Sequence, residues 1–339
     1  MEEVEPAPLP AWQLHNQFLH DSKFITNIYA DGDKLHVLGI SLVSTISQAG
    51  PNERVEHYVH SFDDVTRHRF PLNGQVVLGR RGNFLLAKPL KNPVTLWTDV
   101  YMDMKEADPT FNSFSSVMSY TNEPFGLSEN NVVLVPYFVS GAPQNKLLLM
   151  KLSVEPNMHG NDEVKVIERK VLDFLPEGFY VEHIKTLGNY FYVSTGGGIT
   201  KVSEEGEVEG FVNEESLESM FVHKGNHYAI TYRGSFNKCS LHKSSTNGKD
   251  WTFVSELNHN AGFLNYHIVS DSLLVGSYRS QIFEIDVDNS FYIRELENEG
   301  LAGNYITAIK KVDDLIYVAT HSGLFSKSLE DVVVYKEVE

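Results

Sequence analysis

From residue 24 onward, apolar positions recur at every second residue in short runs broken by Gly, Asn, Asp and Ser, and no stretch carries an apolar stripe of helical period. That pattern predicts an all-β chain. It is clearest between Gly303 and Phe325, where Tyr305, Thr307 and Ile309 alternate against Ile306 and Ala308. Val312-Asp313-Asp314 supplies a turn, and Leu315 to Ala319 is the almost wholly apolar run of a strand buried on both faces. Ser322-Gly323 makes the next turn, where glycine permits the positive φ that a tight hairpin often needs.

The same arrangement is written repeatedly. Phe179–Leu187, Tyr190–Ser194, Ile199–Val202 and Val208–Val212 form one unit; Leu217–His223, His227–Thr231, Phe236–His242 and Trp251–Leu257 the next. Tyr266–Val269, Ser272–Ser277, Ile282–Val287 and Phe291–Leu296 follow, then Tyr305–Val312, Leu315–Thr320, Leu324–Lys327 and Val332–Val338. The second strands, ending at Thr195, Thr231, Ser277 and Thr320, superpose on one another.

Upstream the units are less regular. Ala11–Leu19 is a first strand, followed by Phe24–Ala30 and Lys34–Ser41 around the hairpin signal Asp31-Gly32-Asp33, then Arg54–Phe62 and Val65–Phe70. Gln75–Gly79, Asn83–Lys88, Val94–Thr98 and Tyr101–Lys105 make a second unit. Ser115–Tyr120, Asn131–Phe138, Lys146–Val154 and Val164–Leu172 make a third, with insertions at Asn122–Asn130 and Glu155–Asp162.

A spacing of about 40 residues is that of propeller blades. A four-stranded antiparallel sheet cannot cover both its faces alone, whereas a radial array covers them and leaves only short edges. The expectation is a seven-bladed β-propeller of four-stranded antiparallel blades over residues 11–339, with the irregular second and third units also admitting six or eight. Ring closure falls either to the strand at 11–19 or to Val332–Val338.

Two motifs carry resemblances. Ser244-Ser-Thr-Asn-Gly-Lys-Asp-Trp251 resembles the Asp-box hairpin (Ser-x-Asp-x-Gly-x-Thr-Trp) of sialidase-like propellers, with Thr246 where that family has Asp and Asp250 where it has Thr. In that family the box is a structural turn between third and fourth strands, away from the catalytic face, so the likeness supports the fold and not sialidase chemistry. Asn304–Ile309 with Leu315–Leu324 is similar to the repeats of regulator propellers in bacterial two-component receptors.

Composition narrows the function. The chain has 28 basic against 45 acidic side chains, a net charge of −17, which disfavours nucleic-acid binding. Its one cysteine, Cys239, excludes an intramolecular disulfide and a Cys-based zinc site. No run approaches the length of a membrane span. Residues 1–10, acidic and Pro-rich, read as a disordered leader. Such a leader after an anchoring cysteine resembles bacterial surface lipoproteins, which implies an extracytoplasmic location, lipid-anchored where an export signal has been removed.

For chemistry, the sharpest local signal is a Tyr-Arg pair directly after the second strand in two adjacent units, Tyr232-Arg233 and Tyr278-Arg279, aligned with His321-Ser322 in the last. Two guanidiniums beside phenols suit a carboxylate or sulfate; alternatively the arginines pair with Glu256 or Glu295 and stiffen the ring. By the propeller analogy, the loops from second to third strand and those between blades are expected at opposite ends. A sialidase needs three arginines, and only Arg80 or Arg81 offers a third. Paired glycosidase carboxylates cannot be picked out among 45 acids.

His57 and His60 face opposite sides of a strand, and His223 with His227 makes at most a two-ligand site. Gly196-Gly197-Gly198 is a hairpin turn rather than a phosphate cradle, since no helix follows it. No cofactor is expected.

The reading is a monomeric, non-catalytic propeller that binds a partner protein or a glycan through Tyr232, Arg233, Tyr278, Arg279 and His321. A glycan-active hydrolase or lyase on the same face, and a sensor propeller of a larger receptor, are the alternatives.

Overall fold

The computed structural model describes residues 11–16, 23–40, 42–49, 52–59, 69–90, 100–115, 123–141, 145–175, 178–213, 215–232, 238–288, 291–301 and 303–337. The acidic leader, Arg233 and the expected strand Val94–Thr98 lie outside these residues.

Seven antiparallel sheets form a seven-bladed β-propeller. Blade 1 is Ile25–Asp31, Lys34–Gly39, Leu42–Ala49 and Asn52–Val59. Blade 4 is Val181–Leu187, Tyr190–Thr195, Gly198–Ser203 and Val208–Asn213; blade 5 is Ser216–His223, Asn226–Tyr232, Cys239–Ser244 and Thr252–Leu257. Blade 6 is Asn265–Ser270, Leu273–Tyr278, Gln281–Asp286 and Tyr292–Glu295. Among the described residues blade 2 has three strands, Val76–Arg81, Phe84–Pro89 and Val100–Asp103. In blade 3 the innermost strand is split: Phe111–Phe114 and Gly126–Leu127 both pair with Val132–Val139, around an insertion that begins at Ser115 and ends at Phe125. Asn145–Pro156 and Asp162–Leu172 complete that blade.

The innermost strands of neighbouring blades stand side by side around the axis. Each apolar cluster lies between blades rather than within one. Ile25, Val37 and Ile46 of blade 1 pack on Ala308, Tyr317 and Ala319 of blade 7, and Val181, Ile184 and Phe191 of blade 4 on Leu134, Leu147 and Leu149 of blade 3. This is the burial that no single sheet achieves, and it places the core in a ring of inter-blade seams.

The amino terminus closes the ring. Blade 7 (Ile306–Val312, Leu315–Thr320, Gly323–Ser328) receives Gln13–Leu14 as its outer strand, Gln13 opposite Ser326 and Leu14 opposite Phe325. The expected strand Val332–Val338 is not the closing one. Leu329–Val332 instead turns as a short helix, and the chain then bridges Tyr335 to Leu296 of blade 6. One further expectation is corrected. Leu42–Ala49 is a strand that apolar alternation does not reveal, because Ser44 and Thr45 hold it by hydrogen bonds to His57 Nδ1 (2.7 Å) and His36 Nδ1 (2.9 Å). Of the inner strand expected at Ser115–Tyr120, all but Ser115 lies outside the described residues.

Candidate functional site

The turns between second and third strands are short. Gly196-Gly197, Arg279-Ser280 and His321-Ser322 each close a pair one residue to either side. The Thr or Ser near the end of the second strand explains its recurrence. Thr195 and Thr320 hydroxyls donate to the carbonyls of Gly198 (3.1 Å) and Gly323 (2.9 Å) and accept from the amides of Gly197 and Ser322, tying each turn to the strand that enters it.

These turns and the inter-blade connections share one end of the ring, against the expectation that they lie at opposite ends. Tyr305, ahead of blade 7, stacks on His321 in a second-to-third turn, and the Ile306 amide donates to the Arg279 carbonyl at 2.8 Å. The reason is parity: in an antiparallel blade, the chain has reversed an even number of times between its entry, its middle turn and its exit. Arg80 and Arg81 sit beside the first turn of blade 2, opposite Leu85 and Phe84, at the other end of the ring, so neither supplies a third arginine. Ser244–Trp251 also lies at that far end. There Ser244 Oγ accepts from the Gly248 amide (3.0 Å), and the Trp251 indole donates to the Gly248 carbonyl (3.0 Å).

A cavity of about 230 Å3 opens at the end that carries the second-to-third turns. Lys185 of blade 4 and Glu218 of blade 5 form its floor side, and the connection Gly262–Asn265 one wall. Tyr278, Arg279 and Tyr305 complete the rim. Arg279 has φ +54°, a left-handed conformation rare for a residue with a Cβ, and its guanidinium lies 5.3 Å from the Tyr278 ring centre. Arg279 makes no ion pair among the described residues. Glu295 accepts instead from Gln281 (3.1 Å) and Lys336 (3.2 Å), and Glu256 from Lys238 (3.1 Å).

A recurring β-bulge brings two carboxylates here. The inner strands of blades 1, 4, 5 and 7 each carry one unpaired residue near their start: Thr26, Glu182, Glu218 and Thr307. Bulges re-aim side chains. Thr26 and Thr307 spend their hydroxyls on backbone carbonyls, at 3.2 and 3.0 Å. Glu182 accepts from Ser194 Oγ (3.3 Å) and from the Tyr232 hydroxyl (3.4 Å), while Glu218 lines the cavity. Burial pushes the Glu218 carboxyl up to about 7, with Lys185 opposing and Glu182 adding to the rise. Burial likewise lowers the Lys185 ammonium to about 8, helped by Arg69 and opposed by Glu123 and Glu218.

Below the cavity the axis is polar. Arg69 Nε donates to Asn27 Oδ1 (3.0 Å) and lies 3.9 Å from Glu123 Oε1, which also accepts from Asn27 Nδ2 (3.0 Å). Glu123 enters from the insertion in blade 3, and Lys310 and His267 face the same group of charges. Burial, abetted by Arg69, lowers the pKa of both.

Of the residues singled out by the sequence, Tyr278 and Arg279 line the cavity. Tyr232 and His321 do not line it: the Tyr232 hydroxyl donates to Glu182, whose charge acts on Glu218 of the lining, and His321 stacks between Phe24 (4.1 Å) and Tyr305 of the rim (4.9 Å). Arg233 is outside the described residues. Lys185, Glu182 and Glu218 were missed because they sit on inner strands that read as ordinary alternation. The available signal was a Glu at the bulge position of two successive units.

A scan against protein-family models gives no match, and neither does a search of curated proteins. Solved structures of similar shape are numerous. The Cps50 (Swd1) β-propeller domain of Myceliophteria thermophila has a TM-score of 0.54 at 10% identity, covering 91% of this chain and 97% of that one. The Pan2 WD40 domain of Neurospora crassa has a TM-score of 0.51 at 9% identity, covering 97% of each chain. The extracellular domain of BT4673 from B. thetaiotaomicron has a TM-score of 0.50 at 12% identity, over 94% of this chain and 40% of that one. At these identities the likeness is one of fold.

Proposed function

We propose that this chain is a non-catalytic propeller that binds a partner protein or a glycan at the end of the ring carrying the second-to-third turns, by gripping an acidic group of that ligand. One observation carries the reading: a single cavity places Lys185 and Arg279 beside the rings of Phe263, Tyr278 and Tyr305, on a chain whose net charge is −17. Cations gathered in one pocket of an otherwise acidic molecule attract an anion locally, and aromatic rings add apolar or sugar-stacking surface. Tyr232 and His321 extend this surface, and Arg233, next to Tyr232 in the sequence, is proposed with them. The fold shared with the BT4673 extracellular domain supports, within the same reading, a location outside the cytoplasm.

The test is binding of uronate- and sialate-bearing oligosaccharides and of acidic peptides, followed by calorimetry. Lys185→Met with Arg279→Gly should abolish binding of whichever ligand the parent protein takes. Retention of full affinity in the double variant rejects the site.

The bulge-borne carboxylates favour a second reading, glycan hydrolysis or lysis at the same place. Glu218, held near neutrality by burial, suits a general acid, and Glu182 with the Tyr232 hydroxyl lies beside it. Turnover of fluorogenic glycosides that disappears in Glu218→Gln would establish it, and absence of turnover across pH 5–8 leaves the binding reading alone.

A further inference from the structure

A second cavity, of about 510 Å3, lies in the cleft between blades 5 and 6. Phe263, Leu264 and Tyr278 line both it and the cation-bearing cavity, so the two meet across one shared wall. The far side of the cleft is apolar, made by Phe283 and Ile293 from the third and fourth strands of blade 6. Both lie half-buried against the core seam of blades 5 and 6. Phe263 is 45% exposed at the boundary, with its ring 6.2 Å from that of Tyr278. Asn258 and Gln281 add polar groups at the margin.

We propose that the two cavities form one binding site for an extended peptide, resting on the anion-binding reading above and specifying its ligand. An acidic side chain or a C-terminal carboxylate meets Lys185 and Arg279, and a large apolar side chain of the same peptide fills the cleft. Charge complementarity selects the first contact, since the cavity sets two cations, Lys185 and Arg279, against the one carboxylate of Glu218 on an acidic molecule. The lining selects the second: sugar hydroxyls set against Phe283, Ile293 and Leu264 lose water and find polar groups only toward Asn258, Gln281 and Tyr278, whereas a Phe or Leu side chain gains burial. The acidic remainder of the surface further favours a peptide with basic flanks, which speeds encounter at low salt.

Fluorescence anisotropy on the full chain tests this with the fluorescein-labelled peptide Lys-Ser-Gly-Phe-Ser-Asp as free acid. Two controls accompany it, one with Phe replaced by Ser and one with Asn and a C-terminal amide in place of the acids. The parent peptide is expected to bind at least tenfold more tightly than either control and at least tenfold more tightly than free glucuronate. Phe283→Gln and Ile293→Gln should each remove the advantage of the Phe peptide while glucuronate binding, read by calorimetry, stays unchanged. That unchanged value also certifies that the variants are folded. If glucuronate binds but the peptide gains nothing over it, the peptide inference fails and the anion-binding reading stands. If a uronate oligosaccharide binds more tightly than the peptide and ignores both cleft variants, the ligand is a glycan and the inference is overturned. If neither anion nor peptide binds, the anion-binding reading falls first and the inference with it.

Discussion

Arg279 is the residue at which local cost and proposed role meet. Its left-handed backbone, φ +54°, costs on the order of 1 kcal/mol in a residue with a Cβ, and its carbonyl is committed to the Ile306 amide across the blade boundary. Glycine takes such a backbone freely, whereas the aligned Gly196 of blade 4 lies outside the left-handed region, so the conformation is particular to this turn. A strained arginine kept where glycine would serve points to a use for the guanidinium. Arg279→Gly is therefore expected to leave the thermal midpoint unchanged or raise it by about 2 °C, whereas Arg279→Ala keeps the strain and gains nothing. Both should lose ligand affinity alike. A drop of several degrees in the glycine variant, seen by calorimetry, would show that the side chain is a structural strut instead.

At the scale of elements, the seam between first and last strands decides whether the ring holds. Trp12 is 5% exposed and packs with Leu296, Leu301, Ile306 and Phe325, its amide donates to the Glu299 carbonyl (3.0 Å), and the Lys327 ammonium lies 5.8 Å from its ring centre. Gly300 (φ +91°) admits this approach, since a Cβ there would stand 2.8 Å from the Trp12 carbonyl oxygen. Trp12→Ala should cost about 3–5 kcal/mol in urea unfolding, because it empties a buried aromatic position that anchors a strand only two residues long. A loss below about 1 kcal/mol would mean that closure rests elsewhere. Much of this level was legible. Blades 4 to 7 were readable from alternation and from the terminal Thr or Ser. Leu42–Ala49 was not, because cross-strand Ser–His and Thr–His bonds replace the apolar signal there. Nor was the split strand of blade 3, since two short segments separated by an insertion carry no period. The choice between the two candidate closing strands turned on the Trp12 contacts, which only the folded ring displays.

The charged axis belongs to no blade. Asn27, Lys185, Glu218, His267 and Lys310 come from blades 1, 4, 5, 6 and 7, with Arg69 and Glu123 from the segments around blades 2 and 3. Each looks like an unremarkable polar position on its own strand, so the cavity's electrostatics were invisible along the sequence and exist only once the circle is drawn. Their clearest consequence is a pH dependence. Glu218 is raised to about 7, so its contribution to folding is full below its unfolded value of 4.5 and is lost as pH rises through about 7. Lys185 is lowered to about 8, so its contribution is full above 10.5 and is lost as pH falls through about 8. The two oppose each other in stability, which makes unfolding a poor readout. In binding they act together. Between pH 9 and 6 Glu218 loses a negative charge and Lys185 gains a positive one, while Arg279 stays charged. Affinity for glucuronate, whose own carboxylate stays ionised throughout, should rise at least about tenfold over that interval, bounded by two protons taken up. Glu218→Gln should remove the part of the rise centred near 7, and Lys185→Met the part near 8. Calorimetry in buffers of different ionisation enthalpy counts those protons directly, and an affinity that is flat or falls as the solution is acidified would separate the anion from this cavity altogether.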